Sequence, residues 1–418
     1  MKKEKIISKK NTECRLCKSK SLYKFLNLGH HPPSDQFQTA EQCSEPVVFY
    51  PLDVYLCEKC GFVQLGYTVS PEILYQKNYP YESSTTQIGK IHYHDFAESV
   101  VKDYQFNEND LAVDIGSNVG VLLEGFKILG LKINGVDPAP NICEIAEKRG
   151  IPTINDFFGK NAAEKIVATK GRASVITGTN VFAHVDDLNA FMDAVKILLD
   201  PTKGVLVIEA PHLLHLVERL EYDTIYHEHL SYISITPLVS FFKGMGMEII
   251  KVEQKDIHGG SVRIFVSHSG NYPVHESVSD TVALEAKDKL HEKDTLLEFA
   301  KRVEKNKAEL SFLLNKLKRE GKRIVAVSAP AKGMTLLNYC KIDRQILDYV
   351  TEKSKLKIGL YTPGDHIPLF DDTKLLEDMP DYALLLAWNF SAEIMKNNQE
   401  YTKRGGKFII PIPTPKIV

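Results

Sequence analysis

Residues 111–120 of the chain read LAVDIGSNVG, and this stretch decides the fold. Its first half is an apolar run of strand length, and its second half is a turn that contains Gly116 and Gly120. The apolar residues at 121–129 recur at helical spacing. Glycines at the carboxyl end of a first strand let the backbone approach a ligand closely. The stretch therefore predicts a strand–turn–helix unit that opens an α/β domain.

Strand and helix patterns alternate along the next hundred residues. A helix is predicted across 188–199, and short apolar runs predict four more strands at 132–137, 151–154, 173–177 and 204–210. Strands that alternate with helices are typical of a parallel sheet covered on both faces. The sequence thus predicts a doubly wound, Rossmann-like central domain.

The glycine spacing distinguishes between two classes of cofactor. A dinucleotide fingerprint requires Gly-x-Gly-x-x-Gly, whose middle glycine makes room for a pyrophosphate. This chain has Ser117 and Asn118 at that place. S-adenosylmethionine carries no phosphate, and its ammonium group would be attracted by Asp114 or by a nearby carbonyl. The turn therefore favours S-adenosylmethionine.

Acidic residues after the next two strands support the same cofactor. Asp137 ends the second strand, where an acid is placed to bind the two hydroxyls of an adenosine ribose. Asp156 and Phe157 follow the third strand, and a carboxylate beside an aromatic ring suits the amine and the face of adenine. The predicted cofactor-binding residues are Asp114, Gly116, Asn118, Gly120, Asp137, Asp156, Phe157 and Asn180.

Two Cys-x-x-Cys pairs mark the N-terminal region. Cys14 and Cys17 form the first pair, and Cys57 and Cys60 form the second. Two such pairs supply four thiolates for a tetrahedral site of the kind that zinc prefers, and a site closed by four sulfurs is structural. The alternative is two unrelated cysteine pairs. We predict a zinc-ribbon-like module with structural zinc.

Four consecutive residues concentrate groups that exchange protons near neutral pH. They are Tyr226, His227, Glu228 and His229. Three interpretations compete: a general acid/base centre, a metal site or an ordinary polar loop. The metal interpretation is weakened because the cysteines already supply a metal site. His184, at the end of the fourth strand's loop, is a further candidate, although a histidine there also serves as a cap or a core group.

A tyrosine-rich linker precedes the central domain. Residues 78–84 read NYPYESS, and Tyr79 and Tyr81 flank a proline. The segment is either a packed interdomain loop or a lid that contributes a tyrosine to the active site.

The C-terminal part has the pattern of a second, smaller Rossmann-like domain. A helical stretch at 282–320 precedes a strand at 323–328, and further strands are predicted at 347–350, 382–387 and 407–411. Lys332 lies in the loop at 329–333, before a helix, where amide donors and a lysine favour an anion such as a diphosphate.

Composition limits the classes of function. With 418 residues the chain is long enough for two or three domains, and its formal net charge of −2 does not suggest a nucleic-acid or membrane surface. The basic start is not followed by an apolar core, and no apolar run is long enough to span a membrane. Seven cysteines, an odd count with pairs at metal spacing, favour a reducing cytoplasm.

The motifs together resemble the S-adenosylmethionine-dependent sugar C-methyltransferase family over nearly the whole chain. Beside the cysteine pairs and VDIGSNVG at 113–120, the resemblance rests on NVFAHV at 180–185, YDTIYHEHLSY at 222–232, HGGSVR at 258–263, APAKG at 329–333, LLN at 336–338, YTPGDHIP at 361–368 and WNF at 388–390. Members of this family methylate nucleotide-linked deoxysugars at a carbon beside a ketone. Met334 and the HHPP stretch at 30–33 depart from the family pattern, and both bear on substrate choice.

The resemblance implies three parts. They are a zinc-binding module at 1–77, a class I methyltransferase domain at 78–270, and a helical connector with a Rossmann-like, nucleotide-sugar-binding domain at 271–418. The implied substrate is a nucleotide diphosphate 4-keto-deoxysugar, methylated at C-3. The candidate substrate-binding residues are His258, Arg263, Lys332 and Asn338, although Arg263 is equally suited to pairing within a sheet.

Carbon methylation next to a ketone requires an enolate. A base must remove the proton, and a second group must stabilise the oxygen that becomes negative. We predict His229 as the base, with Glu228 to orient it. Tyr226 and His184 are candidates for stabilising the oxygen or relaying the proton, and Tyr79 or Tyr81 completes the pocket.

Three other functions fit parts of the pattern. An O- or N-methyltransferase would have the same cofactor domain and differ in its product. A dehydrogenase with two Rossmann units is disfavoured by the missing middle glycine. A non-catalytic scaffold would use the zinc module as an interaction surface and would not need the acid/base cluster.

Overall fold

A computed structural model describes residues 7–75, 87–257 and 259–418. Their strands form four sheets, of two, four, seven and six strands. Within these ranges, every helix is too short or too polar to cross a lipid bilayer.

The N-terminal part is a small antiparallel module built around the cysteines. Its elements are β1 (Ser8–Lys10), β2 (Leu22–His31), β3 (Tyr50–Cys57), β4 (Val63–Leu65), β5 (Tyr67–Val69) and α1 (Pro71–Tyr75). Strands β2, β3 and β4 pair antiparallel, and β1 pairs with β5. Side chains alternate between buried and half-buried along β3, as expected for a sheet with one covered face.

The central part carries the seven-stranded sheet. Its elements are α2 (Gln87–Tyr104), β6 (Leu111–Ile115), α3 (Val121–Ile128), β7 (Lys132–Asp137), α4 (Pro140–Lys148), β8 (Thr153–Asn155), α5 (Lys160–Lys170), β9 (Val175–Thr179), α6 (Leu188–Leu198), β10 (Val205–Pro211), α7 (Leu213–Glu218), β11 (Ser231–Tyr232), α8 (Ile235–Gly244), β12 (Met247–Lys255) and β13 (Ser261–His268). Short 3₁₀ turns lie at Phe182–His184 and Tyr222–Thr224.

The strand order is β12-β13-β10-β9-β6-β7-β8, and this confirms the class I methyltransferase fold expected for the central domain. Strands β8, β7, β6, β9 and β10 are parallel, but β13 runs antiparallel to both neighbours. The reversal follows from the short connection between β12 and β13, which permits only a hairpin. The order reverses between β6 and β9, so a crevice for ligands opens at their carboxyl ends.

The C-terminal part forms the predicted second α/β sheet. Its elements are α9 (Ser277–Lys287), α10 (Lys293–Arg319), β14 (Ile324–Val327), α11 (Ala331–Cys340), β15 (Val350–Glu352), β16 (Leu369–Asp371), α12 (Lys374–Asp378), β17 (Tyr382–Leu385), α13 (Ser391–Asn397), α14 (Gln399–Lys403), β18 (Lys407–Ile410) and β19 (Lys416–Ile417). The order is β16-β15-β14-β17-β18-β19, with only β19 antiparallel. Helix α10 buries its apolar face, including Phe299, Val303 and Leu310.

A strand from the central part of the chain extends the sheet of the N-terminal module. Strand β11 pairs with β4, with Ser231 opposite Gln64 and Tyr232 opposite Val63. One apolar core joins these strands to α7, α10 and the C-terminal sheet. The loop that precedes β11 therefore lies where the three parts of the chain meet, an arrangement that the sequence pattern did not indicate. The boundary proposed at residue 270 falls between β13 and α9, and the one at 77 lies outside the described residues.

Candidate active site

The turn after β6 is tightly packed and requires its two glycines. Gly116 has φ of 65° and Gly120 has φ of 81°, values that favour glycine. A Cβ atom at residue 116 would overlap the side chain of Val181, and one at residue 120 would lie 2.7 Å from Ile151. The amide of Gly116 donates to the Val136 carbonyl at 2.8 Å, which ties the turn to β7.

Two of the predicted acids lie buried beside this turn. Asp114 accepts a hydrogen bond from Thr177 Oγ1 at 2.6 Å, and burial raises its pKa to about 7. Asp137 accepts from the amides of Asn118 and Ala139, both at 2.9 Å, and burial raises its pKa as well. Asp137 therefore supports the turn in addition to the ribose contact predicted for it.

The remaining predicted cofactor residues lie at the same sheet edge. Asn118 and Asn180 have φ of 49° and 58°, and the Asn180 amide donates to the Glu209 carbonyl at 2.7 Å. Asp156 and Phe157 follow β8, where Asp156 is exposed and accepts from the Phe157 amide at 2.8 Å. The carboxyl ends of β6 to β9 thus bring the whole predicted set to one edge.

This edge fits S-adenosylmethionine. The switch point lies at the carboxyl ends of the parallel strands, where a ligand binds in such sheets, and the acids there suit the ribose and ammonium groups of this cofactor. Ser117 Oγ is buried and has no hydrogen-bond partner among the described residues, so the turn holds an unsatisfied polar atom of the kind that a ligand satisfies.

The acid/base cluster lies in the loop between α7 and β11. Nδ1 of His229 lies 2.7 Å from the carbonyl oxygen of Thr224. A carbonyl only accepts hydrogen bonds, so Nδ1 must carry a proton, and in the neutral ring the lone pair is on Nε2. This tautomer is suited to a general base. His229 also borders a small cavity lined in addition by Ala183, Pro211, Leu213, Leu216, Thr224, Ser231 and Tyr232.

Aromatic rings surround His229. The ring of Tyr226 lies 4.0 Å from it, and the ring of His184 stacks on it at 5.1 Å. Burial and the charge of His229 hold the pKa of His184 well below its ordinary value. Three of the predicted catalytic residues are therefore brought together, and His184 is neutral at neutral pH.

Tyr75 belongs to the same group, although no pattern in the sequence singled it out. Its ring stacks on His184 at 6.1 Å. Burial raises its pKa well above the ordinary value, and the nearby charges of Glu228 and Asp35 add to this. The one feature of the sequence that could have indicated Tyr75 is its position four residues before the candidate Tyr79.

His227 faces the N-terminal module, whereas the charge of Glu228 acts on Tyr75 beside His184. His227 packs edge-on against Tyr50 of β3 at 5.8 Å, and burial lowers its pKa to about 4. Glu228 is 3 % exposed. His227 is therefore held neutral against the N-terminal module.

Three predicted site residues lie outside the described part of the chain. They are Tyr79, Tyr81 and His258.

Arg263 lies inside the central sheet. Its Nε and Nη2 atoms each lie 2.8 Å from Oε2 of Glu209, and its guanidinium stacks on Phe96 at 3.6 Å. His92 Nε2 contacts the other oxygen of Glu209 at 2.6 Å. Of the two roles expected for Arg263, the geometry corresponds to pairing within the sheet, because a buried carboxylate already occupies the guanidinium.

Lys332 and Asn338 lie on α11, and Lys332 is the one of the two whose neighbours, Asp223 and Glu221, belong to the central domain. Lys332 hydrogen-bonds to Asn389 and lies over the ring of Trp388 at 4.6 Å. Burial lowers its pKa, while the charges of Asp223 and Glu221 oppose that shift. Asn338 donates to the carbonyl of Met334 at 2.9 Å.

The four paired cysteines form a compact cluster. Their sulfur atoms all lie within 4.8 Å of one another, and Cys14–Cys60 and Cys17–Cys57 are each separated by 3.6 Å. Sulfurs in a tetrahedral zinc site with bonds of about 2.3 Å lie roughly 3.8 Å apart. The donor set thus fits structural zinc. Among the described residues this is the only group of three or more potential metal ligands, so a metal site at Tyr226–His229 has no support.

Three family models match successive parts of the chain. A zinc binding domain matches residues 14–75, a methyltransferase domain matches 94–252, and a C-methyltransferase C-terminal domain matches 256–413. These parts correspond to the three sheet-bearing regions of the fold.

Individual proteins similar to the chain include curated relatives and a solved structure. C-methyltransferase NovU of Streptomyces niveus is 32% identical over 97% of this chain and 96% of its own length. A ubiquinone biosynthesis O-methyltransferase of Methylobacterium sp. (strain 4-46) is 33% identical over 19% of this chain and 32% of its own. A solved S-adenosylmethionine-dependent methyltransferase of Anabaena variabilis is 15% identical, with a TM-score of 0.34, over 43% of this chain and 85% of that one. The full-length match excludes the dehydrogenase and scaffold alternatives, and the chain belongs to the S-adenosylmethionine-dependent C-methyltransferase family.

Proposed function

We propose that the protein methylates a carbon beside the ketone of a nucleotide-linked 4-keto-deoxysugar, at C-3, through an enolate. The observation that carries this proposal is the hydrogen bond from His229 Nδ1 to the Thr224 carbonyl, because it leaves Nε2 as the basic nitrogen. A carbon acid requires such a base, whereas a hydroxyl or amine acceptor depends less on one.

The residues around His229 suit the other tasks of enolate formation. His229 removes the proton, and the buried carboxylate of Glu228, next to it in the chain, assists. Tyr226 and His184 stabilise the enolate oxygen, for which a neutral His184 is the appropriate form because it still has one N–H to donate. Tyr79 or Tyr81 contributes from the linker.

The cofactor set lies at the neighbouring strand ends. When bound there, S-adenosylmethionine supplies the methyl group. Asp137 and the turn at Gly116 hold its ribose side, Asp156 and Phe157 bind its adenine, and Asp114 attracts its ammonium group.

The nucleotide end of the substrate is proposed to bind at α11, with Lys332 and Asn338 as contacts and His258 as a further candidate, whereas Arg263 is already paired with Glu209. Burial raises the pKa of Glu221 to about 8, while the charges of Lys332 and Arg219 oppose that rise, so the lysine lies beside an acidic side chain of the central domain. Four of the seven cysteines are grouped as a zinc ligand set, and an odd count with pairs at metal spacing supports a reducing cytoplasm as the location.

The test is to incubate the protein and S-adenosylmethionine with a panel of nucleotide-linked keto-deoxysugars and to identify products by mass spectrometry and NMR. We expect a new carbon–methyl bond beside the ketone. A methyl ether or a methylamine would establish the O- or N-methyltransferase alternative. No methylation of any keto-sugar, by protein that binds the cofactor, would refute the proposed substrate class.

A further inference from the structure

The carbonyl that orients His229 is flanked by two residues that the C-terminal domain holds. Thr224 supplies this carbonyl. On one side, Asp223 Oδ2 accepts from Trp388 Nε1 at 2.7 Å. On the other side, the Ile225 carbonyl accepts from Thr335 Oγ1 at 3.0 Å. The peptide that sets the tautomer of His229 is therefore fixed from both neighbours.

These two contacts are buried and join distant parts of the chain. Asp223 and Thr335 are 0% exposed, Ile225 is 1% and Trp388 is 9% exposed. If the loop moved away, the buried donors and acceptors of these hydrogen bonds would lose their partners, which costs free energy. The two bonds therefore hold the loop in this position. Tyr222, at the start of the loop, is held in the same way by Asn306 of α10 at 2.7 Å.

We infer that Thr335 and Trp388 are positioning residues for methyl transfer, which keep His229 in the Nδ1-protonated tautomer by fixing the peptide of Thr224. The inference rests on the proposed role of His229 as the base. It gives the C-terminal domain a part in proton removal in addition to substrate binding.

The physical reason is that the hydrogen-bond partner of one ring nitrogen determines which of the two nitrogens of a neutral histidine carries the proton. If the Thr224 carbonyl moves away, Nδ1–H loses its acceptor, and the proton populates both nitrogens. A ring with its proton on Nε2 directs an N–H, not a lone pair, at the substrate carbon. The rate of proton removal falls although the cofactor site at the neighbouring strand ends is unchanged.

The direct test reads the tautomer without any substrate. We would label the histidines of the full-length protein with ¹⁵N and record long-range ¹H–¹⁵N correlation spectra at a pH where the rings are neutral, with His229→Gln to assign the signal. We expect one tautomer, protonated at Nδ1, in the wild type. Thr335→Val and Trp388→Phe should give a mixture, and Thr335→Ser, which keeps the hydroxyl, should restore the single form.

Tyr401→Phe is the matched control. Tyr401 is a buried residue of the same domain whose hydroxyl donates to the Pro380 carbonyl at 2.9 Å, away from the loop. Loss of this bond lowers the melting temperature as the test variants do, but should leave the His229 signal unchanged. An unchanged signal in both Thr335→Val and Trp388→Phe, or the same change in Tyr401→Phe, would overturn the inference.

Kinetics provide the second readout. We expect Thr335→Val to lower kcat about tenfold or more, with the Kd for S-adenosylmethionine within about twofold of the wild type, and Thr335→Ser to recover most of the rate. If the keto-sugar panel gives no product, the proposed function fails while the tautomer measurement still decides the inference. If product forms and Thr335→Val retains full kcat, the inference fails and the proposed function stands.

Discussion

His184 and His229 stack on each other with ring centroids 5.1 Å apart and an interplanar angle of 25°. One ring comes from the turn after β9 and the other from the loop before β11, so the contact joins the cofactor edge of the sheet to the acid/base loop. Two imidazoles at this distance disfavour each other's protonation, and the pKa of His184 is held low by burial and then by His229. The pair is thus arranged to accept one proton at a time.

Replacement of His229 tests which ring accepts that proton. We expect His229→Gln to lower both methyl transfer and exchange of the substrate α-proton with heavy water by at least about a hundredfold, because a general base contributes on that order. Both rates would be followed by NMR. His275→Gln, at an exposed histidine, is the control and should retain activity. Wild-type exchange and methylation in His229→Gln would exclude it as the base.

Asp114 links cofactor binding to pH. Its native pKa of about 7, raised by burial from 3.8, means that the folded protein keeps a proton that the unfolded chain releases. This acid therefore lowers stability as pH rises from about 4 to 7. A cationic ammonium group beside it favours the charged form, so cofactor binding should release up to about one proton near pH 7, and affinity should fall as pH falls below 7.

Calorimetry in buffers of different ionisation enthalpy measures this proton release. Asp114→Asn should bind the cofactor more weakly and without the pH dependence. Asp256→Asn, whose side chain is 98% exposed, should behave as the wild type. Equal proton release by Asp114→Asn and the wild type would show that another group titrates.

The cofactor-binding turn and the zinc knuckles could be predicted from the sequence because each is formed by residues that are close together in the chain. Residues 111–120 predict a strand, a turn and a helix from their own neighbours, and each cysteine knuckle forms within a few residues. The loop at Tyr222–Thr224 is different, because Tyr222 contacts a residue 84 positions away and Asp223 one that is 165 away. Periodicity carries no information on such pairs. For the same reason Arg263 could not be assigned between a phosphate and Glu209, since the β10–β13 register decides it.

Zinc is expected to hold the acid/base loop as well as its own module. The second cysteine knuckle, with Cys57 and Cys60, lies between β3 and β4, and β4 pairs with β11 directly after the loop. The Leu65 amide also donates to the Leu230 carbonyl at 2.9 Å. Removal of zinc by a chelator, or Cys17→Ser, should therefore increase hydrogen exchange in residues 222–232 and abolish activity. Hydrogen exchange with mass spectrometry and metal analysis measure this.

The matched control for the metal site is Cys43→Ser, at a cysteine that lies outside the cluster. It should retain zinc and show wild-type exchange in residues 222–232. Purified protein without zinc, or loss of zinc without a change in exchange of this segment, would contradict the proposed link between the module and the loop.

Glu285 of α9 caps α8 from outside the helix. It is 0% exposed and accepts from the amides of Ile235 and Thr236 at 2.6 and 2.8 Å and from His212 Nε2 at 2.9 Å. The helix has no side-chain cap of its own at Ser234. Glu285→Gln keeps the shape but loses the charge, and we expect it to lower the free energy of unfolding by about 3 kcal/mol, as for other buried charge partners.

The pH dependence of this loss identifies the charge as its cause. Burial alone would raise the pKa of Glu285, but the bonds from His212, Thr236 and Ile235 outweigh it and lower the pKa below 4.5. A lowered native pKa means that the carboxylate stabilises the protein above pH 4.5 and loses this effect as pH falls through the native pKa. Denaturant unfolding should therefore show the full difference between Glu285→Gln and the wild type near pH 7 and a smaller one in acid. Glu276→Gln, at an exposed position before α9, should match the wild type throughout, and a loss that stays constant into acid would attribute the effect to packing.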